Sequence, residues 1–372
     1  MRMNRTNQMF LLGLVACGPA MGASITDLGT LGGFGSWAYG VNASGQVVGS
    51  AVTSDLESHP FVWSAATGMA DLGTLDGNYG EAHGINASGQ VVGYVDGPGV
   101  TGRAFLWSAG GGMTDLGTLG GTFSLAYGIN ADGEVVGGAA TSTGANHAFL
   151  WTAGVGMTDL GTLGGSFSNA YAINAGGQVV GEASTSGGAS HAFLWSAGGG
   201  MTQLGILGNF GTGRGINSAG QVVGDSYTTD NGLFDPFGYK GEEPFPLGGG
   251  GGVGTATGIN NRGQIAGYSY NATGNLDLVA YWYSGGVVTD LNTLLPANSG
   301  WQLEKATAIN DAGQIVGYGI NPDGQTHAFL LDTAAPEPGS IVLLLSGSAI
   351  LVIKRRTTLA SLRFRRKHLG IR

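Results

Sequence analysis

The residues best equipped for chemistry gather between Asp225 and Phe245, where Asp230, Asp235, Tyr239, Lys240, Glu242 and Glu243 stand among several aromatic side chains. Paired carboxylates beside aromatic rings suit a glycan-binding or glycan-cleaving face. Asp230, Asp235, Tyr239, Glu242 and Glu243 are therefore the candidate ligand-binding residues. Glu81, His83 and the Glu304–Lys305 pair are further singletons. Simple drift of one repeat would produce the same irregularity, so no residue is assigned a catalytic role and the expectation is a non-enzyme.

Two other patterns bear on metals. His59, His147, His191 and His327 occupy equivalent positions and could in principle converge. A metal needs its ligands within about 2 Å of one ion, however, and equivalent residues of separate repeats are seldom that close, so these histidines read as strand-edge hydrogen-bonding groups. The Asn130–Gly133 sequence, Asn-Ala-Asp-Gly, hints at calcium, but the other copies carry Ser, Gly, Ala or Arg at the third position. That leaves too few oxygen ligands. The glycine runs at 110–112, 198–200 and 248–252 are not phosphate cradles, because no Lys-Ser or Lys-Thr follows them. No metal and no cofactor is expected.

These residues are carried by a repeat. An Ile-Asn or Val-Asn dipeptide recurs with its asparagine at Asn42, Asn86, Asn130, Asn174, Asn217, Asn260 and Asn310, in steps of 44, 44, 44, 43, 43 and 50 residues. Each copy has four segments rich in β-branched or aromatic residues, separated by Gly, Asn and Ser. In the third copy they are residues 126–130, 134–139, 147–152 and 157–163. The Asn-x-x-Gly between the first two predicts a tight hairpin, since Asn accepts its own backbone N–H and Gly takes the left-handed position freely.

Four antiparallel strands in about 44 residues match one β-propeller blade. Solenoid coils would show a finer period, and a sandwich of this size could not bury enough surface alone. The ends discriminate further: the final repeat lacks its Asp-Leu-Gly strand, and residues 25–31 supply a spare one. Pairing the two would close a ring and remove exposed sheet edges. The expected fold is an all-β propeller of seven four-stranded blades over residues 24–333, closed by the N-terminal strand.

Both ends read as addresses. Arg2 and Arg5 precede the apolar run 9–16, and small residues follow, as in a secretory signal peptide covering residues 1–23. Leu14–Cys17 also resembles a lipoprotein lipobox, with Cys17 as a lipidation site, and a plain hydrophobic anchor is a third reading. Near the other end, Pro336, Glu337 and Pro338 precede an uncharged stretch and then Lys354, Arg355 and Arg356. The 15 residues 339–353 form a helix of about 22 Å, short of a bilayer core of about 30 Å. Eight basic residues follow from Lys354 onward, a positive-inside stop that leaves a basic cytoplasmic tail at 357–372. Between residues 24 and 353, five cations against 24 acids leave −19, which disfavours nucleic acid and anionic membranes.

The C-terminal combination resembles a PEP-CTERM sorting signal over residues 334–356. Likewise His-Ala-Phe at His147, His191 and His327, with Asp-Leu-Gly-Thr-Leu-Gly-Gly and Gly-Ile-Asn, resembles the HAF repeat of extracellular bacterial proteins. These resemblances imply a protein exported from a Gram-negative bacterium, processed by signal peptidase and by an exosortase-type sorting enzyme. It would be held transiently in the inner membrane through the C-terminal helix, then released to the cell surface or extracellular matrix. The expected function is non-enzymatic binding or scaffolding of exopolysaccharide, with a propeller glycoside hydrolase or lyase, or an adhesin, as alternatives.

Overall fold

The computed structural model describes residues 23–97, 99–205, 210–228, 233–240, 243–247, 254–270 and 277–333. The expected signal peptide with Cys17, and the sorting signal with Pro336, Glu337, Pro338, Lys354, Arg355, Arg356 and the basic tail, lie outside them. Among the described residues no helix is long and apolar enough to cross a membrane. One 3-10 turn, Leu291–Leu294, is capped by the Asp290 side chain and lies within the longest repeat step. The rest is strand and turn.

The first strand, β1 (Ser24–Asp27), is followed by a meander of β2 (Gly32–Val41), β3 (Val47–Thr53), β4 (Ser58–Ser64) and β5 (Gly68–Asp71). Each hairpin between the first two strands forms as its sequence predicts. Asn130 N–H donates to the Glu134 carbonyl, Gly133 N–H donates back to the Asn130 carbonyl, and Gly133 has φ +79°. The fourth strand is shorter than its apolar pattern suggests, ending at Asp159 rather than Leu163. Asp159 Oδ1 accepts from Gly161 N–H at 2.7 Å, and this turn ends the strand.

Sheets stack face to face, and one aromatic ring per repeat fills each interface, phenylalanine in six copies and Tyr281 in the other. Phe61, Phe105, Phe149, Phe193, Phe237 and Phe329 are fully buried. Phe149 packs with Val135 and Ala139 of its own sheet and with Val92 and Ala104 of the preceding one. The ring needs space that only glycine leaves: a Cβ on Gly137 would meet the Leu125 carbonyl oxygen at 1.9 Å and Phe149 Cε1 at 2.9 Å.

Opposite that glycine, the first strand carries a β-bulge. Ala38 pairs with Gly49 and Gly40 pairs with Val48, so Tyr39 is an extra residue facing no partner. The same offset leaves out His83, Tyr127, Tyr171, Arg214, Thr257 and Thr307 in the other copies. Bulges re-aim a side chain and sharpen local twist.

The ring closes as the offset of the ends predicts. β1 pairs antiparallel with the final strand, Thr326–Asp332, in the register Ser24↔Asp332 to Asp27↔Phe329. His327 Nδ1 lies 2.8 Å from Asp27 Oδ1, as His147 Nδ1 lies 2.8 Å from Asp159 Oδ2 within its own sheet. Counted as separate sheets, the described residues hold five four-stranded blades rather than the expected seven. The other eight strands form one continuous sheet, because Asn146 and Phe167 make a parallel bridge between two neighbouring meanders. The bridge has a cause in Asn146, whose Nδ2 donates to Ser168 O and Asn169 Oδ1 of the next meander at 2.9 and 2.8 Å.

Gly137→Ala is expected to destabilise the protein by at least about 2 kcal/mol, since backbone and ring must both shift. A lowered denaturation midpoint in urea checks this. Gly144→Ala tests the opposite case: a Cβ there meets nothing within 4 Å, although its φ of +86° adds local strain.

Candidate axial binding site

Because every first strand ends alike, the seven bulged residues surround one cavity of about 440 Å³. Tyr39, His83, Tyr127, Tyr171, Arg214, Thr257 and Thr307 all line it. Each stands three residues before the repeat asparagine, and four residue types share the seven positions while the residues on either side stay Ala or Gly. Val41, Ile85, Ile216, Ile259 and Ile309 line this cavity and also a third, of about 280 Å³, on the asparagine side. They form an apolar constriction between the two. A second cavity, of about 450 Å³, shares Arg214 with the first and is also lined by Glu182, Thr212, Asp225, Tyr268 and Tyr270.

One wall is an aromatic stack around an acid. His83 lies parallel to Tyr39, with ring centroids 4.9 Å apart, and to Tyr94 at 5.6 Å, while Tyr127 meets it edge-on at 5.2 Å. His83 Nε2 sits 3.0 Å from Glu81 Oε2. Tyr79 and Tyr94 donate their hydroxyls to the same carboxylate at 2.5 and 3.0 Å. Burial pushes the Glu81 carboxyl up, but His83 and the two hydroxyls outweigh it and hold it below the usual range.

The opposite wall is polar. Arg214 pairs with Asp225 through Nε and lies 5.7 Å from the Tyr171 ring centroid. Burial lifts Asp225 above the usual carboxyl range despite Arg214. Burial opposes the Arg214 charge, but Asp225 reverses this and raises its pKa. Tyr171 donates to Glu182 Oε1 at 2.7 Å, and Lys305 Nζ sits 4.6 Å from the Tyr268 ring centroid. Thr257 and Thr307 are occupied structurally, donating to Ala306 O and Ala38 O of neighbouring sheets at 2.8 and 2.9 Å.

The irregular stretch singled out in the sequence lies elsewhere. Asp235 pairs with Ser226 on the third strand, at the position that His147 holds opposite Ala139. Tyr239 takes the place of Trp151, partly buried against a hydrophobic cluster. Neither lines the cavities. Glu243 starts the fourth strand, paired with Lys240, and Asp230 and Glu242 lie outside the described residues. Of the singletons, His83 lines the first cavity and Glu81 contacts it from behind, while Lys305 lies over the Tyr268 ring outside the lining; Asp225 lines the second cavity. The others share one place in the repeat, three residues before its asparagine. The recurring histidines do not converge: His59 and His147 each contact an aspartate of their own sheet, and His327 contacts Asp27 of the closing strand. Among the described residues no group of three or more His, Cys, Asp or Glu is placed to hold a metal ion.

Burial, reinforced by nearby carboxylates, raises Tyr79 and Tyr127 from 10.0 to about 12. The folded chain therefore holds these protons more tightly than the unfolded chain does. Stability from them is complete below pH 10 and is lost as pH rises through about 12. Phenolate absorbance is expected to show a tyrosine subset titrating above pH 10 in the native protein and all tyrosines titrating near 10 once it is unfolded.

No protein-family model and no curated protein matches the chain. Among solved structures, the β-propeller domain of the trilobed protease from Pyrococcus furiosus is similar at 7% identity and TM-score 0.53, covering 81% of this chain and 97% of that one. That domain is described as having an open velcro topology, whereas here β1 pairs with the final strand. A puromycin hydrolase variant is similar at 14% identity and TM-score 0.51, over 80% of this chain and 52% of that one. TolB from Acinetobacter baumannii is similar at 11% identity and TM-score 0.43, over 74% of this chain and 76% of that one. At these identities the likeness extends to the fold alone: the chain is an all-β propeller.

Proposed function

We propose that this chain is an exported, non-enzymatic propeller whose 28 described strands act as seven blades around one axis, and that it binds extracellular polysaccharide in the axial site. The observation that carries the reading is where variation falls. At the bulged position that faces the cavity, a frame repeated for stacking carries four residue types, and there it places Tyr39, His83, Tyr127, Tyr171 and Arg214. Aromatic faces interleaved with carboxylates and hydroxyls suit sugar rings, which present apolar faces and a polar rim. The N-terminal apolar run and the Pro336-Glu337-Pro338 tail support export and sorting, with signal peptidase and an exosortase-type enzyme as processing partners.

A second reading, a glycoside hydrolase or lyase, is favoured by one observation. Asp225 is raised above the usual carboxyl range by burial, and Glu182 is close enough to add to that shift. Two carboxyls in unlike environments are what general acid–base chemistry on a glycosidic bond uses.

Tyr171→Ala is expected to weaken polysaccharide binding by the full-length chain about ten-fold, that is about 1.4 kcal/mol, while Asp115→Asn on the outer strand leaves it unchanged. Polysaccharide turnover by the native chain that is lost in Asp225→Asn would overturn the non-enzymatic reading. Intact-mass measurement on culture, surface and membrane fractions is expected to give a mature chain from near Ser24 to near Pro336. A full C-terminus in the membrane fraction would overturn the sorting claim.

A further inference from the structure

Three carboxylates border the axial site, and two of them face a basic group. Glu81 lies 3.0 Å from His83, and Asp225 is paired with Arg214. Glu182 differs. It accepts from the hydroxyls of Tyr171, Thr212 and Ser190 at 2.7, 3.3 and 3.5 Å, and among the described residues no Lys, Arg or His makes an ion pair with it. Arg214 lines the same cavity, but Asp225 engages it. A half-buried carboxylate held by neutral donors alone has lost part of its hydration without gaining a counter-charge.

From this we infer that the second cavity is a subsite for an ammonium group, and that the ligand is a saccharide bearing a free protonated amine. The inference rests on the glycan reading above. The cavity, of about 450 Å³, sets the Tyr268 and Tyr270 rings in one space with Glu182. Ring faces attract cations, and Tyr268 already has the Lys305 ammonium 4.6 Å from its centroid, with Lys305 outside the cavity lining. The wider field agrees, since five cations against 24 acids between residues 24 and 353 draw cations inward and repel uronates. An acetylated amine would leave Glu182 without a counter-charge.

Calorimetric titration of the full-length chain with a glucosamine oligomer, its N-acetylated counterpart of equal length and a uronate oligomer tests this, with spermidine as a non-sugar amine. The glucosamine oligomer is expected to bind about ten-fold tighter than the acetylated one, a preference of about 1.4 kcal/mol that disappears in Glu182→Gln. Tyr268→Ala, which leaves the Tyr171–Glu182 bond in place, is expected to weaken the amine oligomer as well, and it carries the test if Glu182→Gln lowers the melting temperature. Equal or tighter binding of the acetylated or uronate oligomer, or a preference that survives Glu182→Gln, overturns the ammonium subsite while leaving the glycan reading intact. Spermidine binding that depends on Glu182, with no saccharide bound, supports the subsite and overturns the glycan reading. No binding by any of the four overturns both.

Discussion

The repeat asparagine is the contact on which the molecule is organised. Its Oδ1 accepts two backbone N–H groups of its own hairpin, as Asn42 does from Ser44 and Gln46 at 3.0 Å each. Its Nδ2 then donates to the carbonyl of the equivalent asparagine in the next blade, from Asn42 to Asn86, Asn86 to Asn130, Asn174 to Asn217, Asn217 to Asn260, Asn260 to Asn310 and Asn310 back to Asn42. In every copy Nδ2 also donates to the side chain four residues on, a glutamine throughout except at Asn130, where Glu134 Oε2 accepts. One side chain thus fixes a turn and registers two blades. Because it is buried, its loss would leave several polar groups unsatisfied at once.

That ring explains how a uniform frame holds a non-uniform site. The asparagine pins the end of each first strand, and the bulge three residues earlier turns one side chain toward the axis at a fixed height. Packing is satisfied by Val-Val-Gly and Ala-Phe on the stacked faces, so the bulged residue is free of the core. Tyr, His and Arg occupy that position without entering the stacked clusters, whereas Thr257 and Thr307 bond across to neighbouring sheets, and together the seven set the chemistry of the axis.

Much of this was legible in the sequence because stacking imposes the same demand on every copy. The asparagine spacing, the Asn-x-x-Gly hairpins and the complementary ends led to the propeller and to the strand that closes it. Sheet connectivity was not legible, since a single Asn146 amide joins two neighbouring meanders into one sheet. The site was hidden for a different reason. Residues 225–245 are where the repeat breaks down, yet Asp235 and Tyr239 stand in for the His and Trp of that repeat's own frame. Tyr127 and Tyr171 look like part of a regular pattern, and only the register offset between Ala126 and Gly128, or between Ala170 and Ala172, shows that they leave the ladder.

The closing strand also sets the order of events in time. β1 leaves the ribosome well before its partner, which ends at Asp332 about three hundred residues later. Until then the leading strand has no mate, and each growing sheet stack keeps an open face. Closure is therefore a late, long-range step that loop entropy slows. When it occurs, Leu28 and Phe61 pack onto Val316 and Leu330, and Ser36 Oγ accepts from Ala328 N–H at 2.9 Å, so the last joint matches those already made. A chain built this way acquires its axial site only when its last strand is made, and a prematurely terminated one would have strands but no axis.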